Sequence, residues 1–212
     1  MFTAVCARYS EIAKTQVKLT LRMNLLLALT VLFITPVIFG INNLDNTASA
    51  FVLERFVSLT GIIMLTPVFL PEQDKNIAEL VESKYTSPIV IYITRLVLAA
   101  FSLLILISGF IIIMVLMSCE FDVFKFTVGT FSTAFFLGAL GFIAYAISDN
   151  IVAGYLLSLG YYVFNMFSSS EQLKNIYLFT LGQNGFTEKY WLFGIGTAFV
   201  FASIYFIGFR FR

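Results

Sequence analysis

The long apolar run between about Ile89 and Met117 sets the strongest limit on how this chain can fold. From Leu96 to Cys119 no residue is charged. A helix needs about 20 consecutive apolar residues to cross the hydrocarbon core of a bilayer. The run therefore predicts a membrane-spanning helix.

Five further apolar stretches predict five more spans. Only 12% of the 212 residues are charged and 59% are hydrophobic, whereas soluble domains carry about 25% charged residues. The connections are too short for a soluble domain. We therefore expect an all-α integral membrane protein with six transmembrane helices and a single transmembrane domain over 1–212. The other spans are predicted near 25–41, 56–70, 126–147, 151–167 and 191–209, and those at 56–70 and 151–167 are short.

The residue types that are missing exclude several classes of membrane enzyme. The chain has no histidine, so a zinc metalloprotease of the HExxH kind, a rhomboid-like protease, a phosphohistidine-dependent phosphatase and a histidine-ligated haem protein are all excluded. The two cysteines, Cys6 and Cys119, have no metal-binding spacing. We expect no metal site, no cofactor in this chain and, from a net charge of only +1, no nucleic-acid partner.

The distribution of lysine and arginine predicts the orientation. Six spans place both termini on one side, which then holds nine of the 13 basic residues and leaves four on the other. The positive-inside rule puts the termini in the cytoplasm. A composition rich in Phe, Ile and Asn suggests an AT-rich bacterial genome, so we expect a bacterial cytoplasmic membrane. Ala48-Ser49-Ala50 resembles a signal-peptide cleavage site, but the preceding apolar run is longer than usual for a signal.

Two segments predict helices that do not span. Residues 1–23 mix apolar and basic side chains, which favours an interfacial helix on anionic lipid, with a plain basic leader as the alternative. Residues 71–88 are the most charged part of the chain, yet they carry an apolar stripe at helical spacing. A stripe of this kind suits docking into a groove on a partner protein, whereas a solvated linker would not need one. The stripe consists of Ile77, Leu80, Val81 and the stem of Lys84.

The stretch from Glu72 through Glu79-Leu80-Val81-Glu82-Ser83-Lys84-Tyr85-Thr86-Ser87-Pro88 to Arg95 resembles the cytoplasmic loop of ABC type-2 exporter permeases. The layout is similar too, with an interfacial N-terminal helix, six spans and both termini inside. In that family the connection between the fifth and sixth spans is partly re-entrant. Residues 168–190 contain an 11-residue stretch that is too short to span and is followed by Gly182-Gln183-Asn184-Gly185, so we expect a re-entrant segment there.

The resemblance implies half of a transporter. Two permease chains, identical or homologous, would form the path, and two separate ABC ATPase subunits would bind ATP and Mg²⁺. No phosphate-binding GxxxxGK[ST] motif occurs here, so we expect this chain to be no enzyme itself. The coupling helix that docks on the ATPase would include Glu72, Asp74, Ile77, Leu80, Val81 and Lys84.

The predicted spans offer few polar side chains for mechanism. We expect no ionisable residue deep in a span: Glu54 and Arg55 fall near an outer end, and Arg95 can reach the cytoplasmic face. This disfavours transport coupled to protons or sodium and favours ATP. A path for a peptide or other amphipathic cargo could involve Tyr155, Tyr161, Tyr162 and Asn165, although a lipid-facing aromatic belt and hydrogen bonding of Asn165 between helices are alternatives. A membrane scaffold that anchors a cytoplasmic partner without transport is the other functional reading.

Overall fold

The computed structural model describes residues 22–73, 88–183 and 186–210, and within them the chain is helical with no β-strand. We number the α-helices in chain order. They are α1 (Arg22–Phe39), α2 (Asn46–Arg55), α3 (Thr60–Leu65), α4 (Pro88–Leu116), α5 (Val123–Ser148), α6 (Ile151–Phe167), α7 (Ser170–Leu173) and α8 (Thr187–Arg210). Short 3-10 turns lie at Val57–Leu59, Thr66–Gln73, Lys174–Ile176 and Leu181–Gln183.

Five helical stretches of the described chain are long and apolar enough to cross a membrane. Four of them lie in the single helices α1, α4, α5 and α8, each of which corresponds to a predicted span. The fifth, Asn46–Val68, joins α2, a 3-10 turn, α3 and the residues that follow. The sixth predicted span is α6, which has 17 residues and is the short apolar helix of the set. The all-helical fold is therefore confirmed for the described residues, and it is consistent with an all-α membrane protein. Six crossings remain a prediction.

In the structure the second span begins at Asn46, ten residues before Phe56, where the sequence predicted its start. Asp45 caps α2, accepting a hydrogen bond from the backbone N–H of Ala48 at 2.9 Å and one from the Thr47 hydroxyl at 2.8 Å. A carboxylate at this position satisfies N–H groups that a helix start leaves unpaired. Hydropathy did not predict this helix because several of its residues from 46 to 55 are polar. As a result, Glu54 lies within the continuous stretch Asn46–Val68.

Helix α5 is the centre of the bundle, and most of its residues are buried. A Cβ built on Gly61 of α3 would lie 1.9 Å from the carbonyl oxygen of Ala134, so only glycine permits this helix contact. Gly138 meets the Gly61 backbone in the same way, and Gly154 of α6 approaches the carbonyl of Gly141. Close backbone approach through small residues is the usual basis of helix packing in membranes.

The ends of the helices lie as alternating spans require. The N–H of Asn43 donates to the carbonyl of Met117 at 3.0 Å, and the N–H of Glu120 donates to Leu44 at 3.1 Å. The connections after α1 and after α4 therefore share one end of the bundle. Residues 181–183 pack against α2 at that same end. Cys119 is buried there, with its sulfur 3.2 Å from the carbonyl oxygen of Ile41.

The two predicted non-spanning helices fall mostly outside the described residues. Of the interfacial helix expected at 1–23, residues 1–21 lie outside the described residues, and Arg22 and Met23 begin α1. The coupling segment 71–88 is described only at 71–73 and 88. Helix α4 does begin at Pro88, as predicted, and proline is favoured at a first helical position.

Candidate functional site: a buried ion pair and the 176–181 segment

A buried ion pair joins the second span to the last helix. The Nζ atom of Lys189 lies 2.5 Å from Oε1 of Glu54, and the two residues are 0% and 3% exposed. Glu54 was expected near the outer end of a span and Lys189 in the connection 168–190, and the structure shows that the packing of α2, α5 and α8 excludes water from both groups. That no ionisable residue lies deep in a span stays a prediction, because burial within the protein does not fix the depth of a group in a membrane.

The ammonium group of Lys189 has three acceptors. Besides Glu54, it donates to the hydroxyl of Thr133 on α5 at 2.8 Å and to the carbonyl of Leu178 at 2.5 Å. An ammonium has three N–H donors, so each of them is used. A buried charge is tolerated when it is paired and hydrogen-bonded in this manner.

The carboxylate of Glu54 also holds backbone groups. Its Oε1 accepts hydrogen bonds from the N–H groups of Thr180 and Leu181, both at 3.0 Å. These residues belong to the stretch that runs from Ile176, the last residue of one 3-10 turn, to Leu181, the first residue of the next. We call it the 176–181 segment. Residues 177–181 of this segment are all buried, so its backbone groups need partners from the surrounding helices.

Helix α6 supplies partners from a second side. Oδ1 of Asn165 accepts from the N–H of Leu178 at 3.1 Å, and the hydroxyl of Tyr161 donates to the carbonyl of Ile176 at 2.7 Å. The amide nitrogen of Asn165 donates to the carbonyl of Tyr161 at 3.1 Å. Leu178 is thus bound at both its N–H and its carbonyl by side chains from two different helices.

Aromatic contacts complete the same region. The ring of Phe179 packs edge-on against Tyr162 and Tyr177, each at 5.8 Å between centroids. The guanidinium of Arg55 lies 5.2 Å from the Phe179 ring and 4.5 Å from the Phe51 ring, within the range of a cation–π contact. The hydroxyl of Tyr162 donates to the backbone carbonyl of Arg55 at 2.6 Å.

The structure brings three of the four predicted cargo-path residues together. Tyr161, Tyr162 and Asn165 bind protein backbone as described, while Tyr155 packs against the apolar cluster that contains Tyr162. Their hydrogen bonds hold the 176–181 segment and α2, and a contact with cargo remains a prediction.

The other predicted residues lie elsewhere. Arg95 is buried and donates from Nη1 to the carbonyl of Val68 at 3.3 Å, near the Pro67 kink in the second span. The predicted ATPase-coupling residues from Asp74 to Lys84 are outside the described residues, and the side chain of Glu72 is not described.

Sequence reasoning missed the partnership of Glu54 with Lys189. The two residues are 135 positions apart, and no local spacing relates them. One signal was present: each is a charged residue next to an apolar stretch, and their charges are opposite. A search for complementary charges near the predicted ends of spans would have identified the pair as one of several.

The arrangement can hold charged groups and backbone groups in a buried position. In the described chain no group of three or more Cys, Asp or Glu residues is placed to hold a metal ion. What the site does provide is a neutral pair of opposite charges that connects three helices to one extended segment. A charged pair buried in a membrane protein is a functional candidate in its own right.

Comparison of the chain with protein-family models, with curated proteins and with solved structures finds no match.

Proposed function

We propose that this chain is the membrane-spanning subunit of an ATP-driven exporter, with ATP hydrolysed on separate subunits. The observation that carries the proposal is the sequence from Glu72 to Arg95, which resembles the coupling loop of ABC type-2 permeases. Its apolar stripe, Ile77, Leu80 and Val81, is flanked by acidic residues. Such a stripe is suited to a groove on a partner and poorly suited to an anionic membrane surface.

The helix order around the loop supports the proposal. The second span leads into residue 73 and α4 begins at Pro88, so the loop joins two apolar helices and is short. A partner that moves this loop would pull directly on both helices. The glycine contacts that join the second span to α5 would then transmit the movement to the centre of the bundle.

The remaining parts of the proposal follow from the resemblance. A second permease chain completes the path, two ABC ATPases bind ATP and Mg²⁺ in the bacterial cytoplasm, and both termini are cytoplasmic. The cargo is a peptide or another amphipathic molecule, because the predicted path is aromatic and uncharged, with Tyr155, Tyr161, Tyr162 and Asn165 nearest to it.

The test is co-purification of the full chain from native membranes in mild detergent, with bound proteins identified and ATP hydrolysis measured. The variant is Leu80→Asp, which places a carboxylate in the apolar stripe. Thr86→Asp is the matched control, because at 100° per residue it falls about 180° from Ile77 on a helix. We expect a stoichiometric ATPase with the parent and with Thr86→Asp, and its loss with Leu80→Asp.

Each other outcome has a defined meaning. Purification without an ATPase would refute the exporter proposal, and a bound partner without ATP turnover would favour a membrane scaffold. An ATPase that stays bound to Leu80→Asp would retain the exporter and remove the docking site from the apolar stripe.

The buried Glu54–Lys189 pair favours a second candidate, transport coupled to protons. The expectation against such coupling rested on the absence of a buried carboxylate, and the burial of Glu54 removes that reason. Proteoliposomes that contain only this chain and a pH-sensitive dye would test it. Proton flux under an imposed gradient, lost in Glu54→Gln, would support proton coupling, whereas vesicles that stay tight would refute it.

A further inference from the structure

The 176–181 segment lies at the end of the helix bundle, and its residues 177–180 belong to no helix that would satisfy their backbone groups. Four side chains from three helices bind it instead: Glu54 from α2, Tyr161 and Asn165 from α6, and Lys189 from α8. An irregular backbone that is buried away from water is stable only when protein groups satisfy it. The position of the segment therefore depends on the hydrogen bonds that these four side chains make to its backbone.

The ion pair makes most of the hydrogen bonds that fix the position of the segment. Glu54 and Lys189 together make three hydrogen bonds to the segment, and each bond involves a charged group. Bonds to charged groups are stronger than neutral ones. The pair also ties the segment to α5 through Thr133, so separating the two charges would release the segment from α2, α5 and α8 at once.

A buried ion pair is a poor choice for stability alone. Replacing such a pair by well-packed apolar side chains is often neutral or stabilising, and the best-supported use of a buried pair is to specify one arrangement out of two. Here, one arrangement is the closed segment that the structure contains.

We propose that the Glu54–Lys189 pair is a latch that closes the 176–181 segment over the end of the bundle, and that the segment opens as one unit when the pair separates. This inference does not depend on what energises the chain. It assigns the two residues a positioning role, exerted through the backbone of the segment.

The test measures how fast a buried cysteine reacts in the full chain in detergent. Leu178→Cys places the reporter on the segment, where the leucine is fully buried. Ala99→Cys places a second reporter in α4, also fully buried. It lies one turn from Arg95, which contacts Val68 near the other end of the second span. N-ethylmaleimide labelling is quantified separately for each cysteine-containing peptide by mass spectrometry, so Cys6 and Cys119 do not interfere.

Three variants are combined with each reporter. In Glu54→Gln and Lys189→Met we expect labelling at 178 to rise at least about tenfold, because each change removes bonds to a charged group, while labelling at 99 stays unchanged. Lys174→Met removes an exposed lysine close to the same segment and should change neither reporter. No acceleration at 178 in either latch variant would overturn the proposal. Parallel acceleration at 178 and 99 would do so too, because the pair would then hold the whole fold.

A charge-reversed pair tests whether the segment is held by hydrogen bonds to its backbone or only by the attraction between the two charged side chains. In Glu54→Lys/Lys189→Glu the two charges can still attract, but the N–H groups of Thr180 and Leu181 face a donor in place of their acceptor. We expect the segment to stay open in this double variant. Labelling at 178 as slow as in the parent would show that charge alone closes the segment, and would refute the role of the backbone bonds.

Hydrogen exchange of the unsubstituted chain tests the same proposal without any variant, and so does not depend on whether the variants fold. We expect the amides of Leu178, Thr180 and Leu181 to exchange together and faster than those in the middle of α5, because opening the segment leaves the bundle intact. Exchange of these three amides only together with α5 would contradict a separate opening unit.

Discussion

The hydrogen bond between Lys189 and Thr133 allows a prediction from two chemically identical substitutions. Thr133 and Thr130 lie one turn apart on α5, and both are fully buried. The Thr133 hydroxyl accepts from Lys189 at 2.8 Å and donates to the carbonyl of Gly129 at 3.1 Å. Among the described residues the Thr130 hydroxyl has no partner. Valine has nearly the shape of threonine, so each change removes a hydroxyl and little else.

The expected effects differ in sign. Thr133→Val removes a bond to a charged group, which contributes about 1.5–3 kcal/mol, and leaves one N–H of buried Lys189 without an acceptor. We expect the free energy of unfolding to fall by about 2 kcal/mol. Thr130→Val removes a buried hydroxyl without a partner, whose burial costs about 1–3 kcal/mol. We expect that variant to be as stable as the parent or more stable by about 1 kcal/mol.

Unfolding of the full chain in mixtures of mild detergent and sodium dodecyl sulfate, followed by circular dichroism, would measure both variants against the parent. The informative quantity is the difference between them, which we expect to be about 2–3 kcal/mol. Equal stabilities would mean that Lys189 does not depend on the Thr133 hydroxyl. A more stable Thr133→Val would refute the description of this site as a satisfied polar network.

Two further predictions concern packing and capping. Gly61→Ala places a Cβ 1.9 Å from the backbone oxygen of Ala134, which no rotamer change can relieve, so we expect a loss of about 2–3 kcal/mol; Gly160→Ala, with no atom within 4 Å of the new Cβ, should be neutral or slightly stabilising in the same unfolding assay. Hydrogen bonds from a backbone N–H and a hydroxyl hold the pKa of Asp45 below its ordinary value, so its stabilising contribution is complete above the unfolded-state pKa and is lost as the pH falls through the lowered pKa. Asp45→Ala should therefore be less stable than the parent at neutral pH and equal to it in strong acid, as thermal unfolding would show.

The helices that are apolar throughout could be located from the sequence to within a few residues. The run predicted at 89–117 is the helix Pro88–Leu116, and the stretch predicted at 151–167 is the helix Ile151–Phe167. Their lengths follow from hydropathy alone, because lipid or apolar neighbours surround them on most sides.

The start of the second span could not be predicted by the same criterion. Residues 46–55 contain Asn, Thr, Ser, Glu and Arg, and their average polarity conceals a capped helix. Two of its polar residues, Ser49 and Glu54, are tolerated because protein surrounds them and both are buried. Hydropathy measures the preference for lipid, so it fails where a helix is buried inside the bundle.

The site itself depends on contacts between distant parts of the chain. Glu54 meets Thr180, Leu181 and Lys189 across 126 to 135 positions, and a single sequence contains no record of such pairing. Residue types near the ends of spans could suggest candidates, but the partners are fixed only by how α2, α5 and α8 pack.

The position of the ion pair follows from what the 176–181 segment lacks. A helix in that place would satisfy its own backbone, and apolar side chains could then cover it, but Leu178, Thr180 and Leu181 present N–H and carbonyl groups that need partners in a water-poor interior. Neutral side chains would satisfy them one at a time, as Asn165 and Tyr161 do. One carboxylate oxygen binds two adjacent N–H groups, and the lysine that neutralises it binds the carbonyl of Leu178. The charge pair therefore gives this end of the bundle a closure that a single separation can undo, which no set of independent neutral bonds would provide.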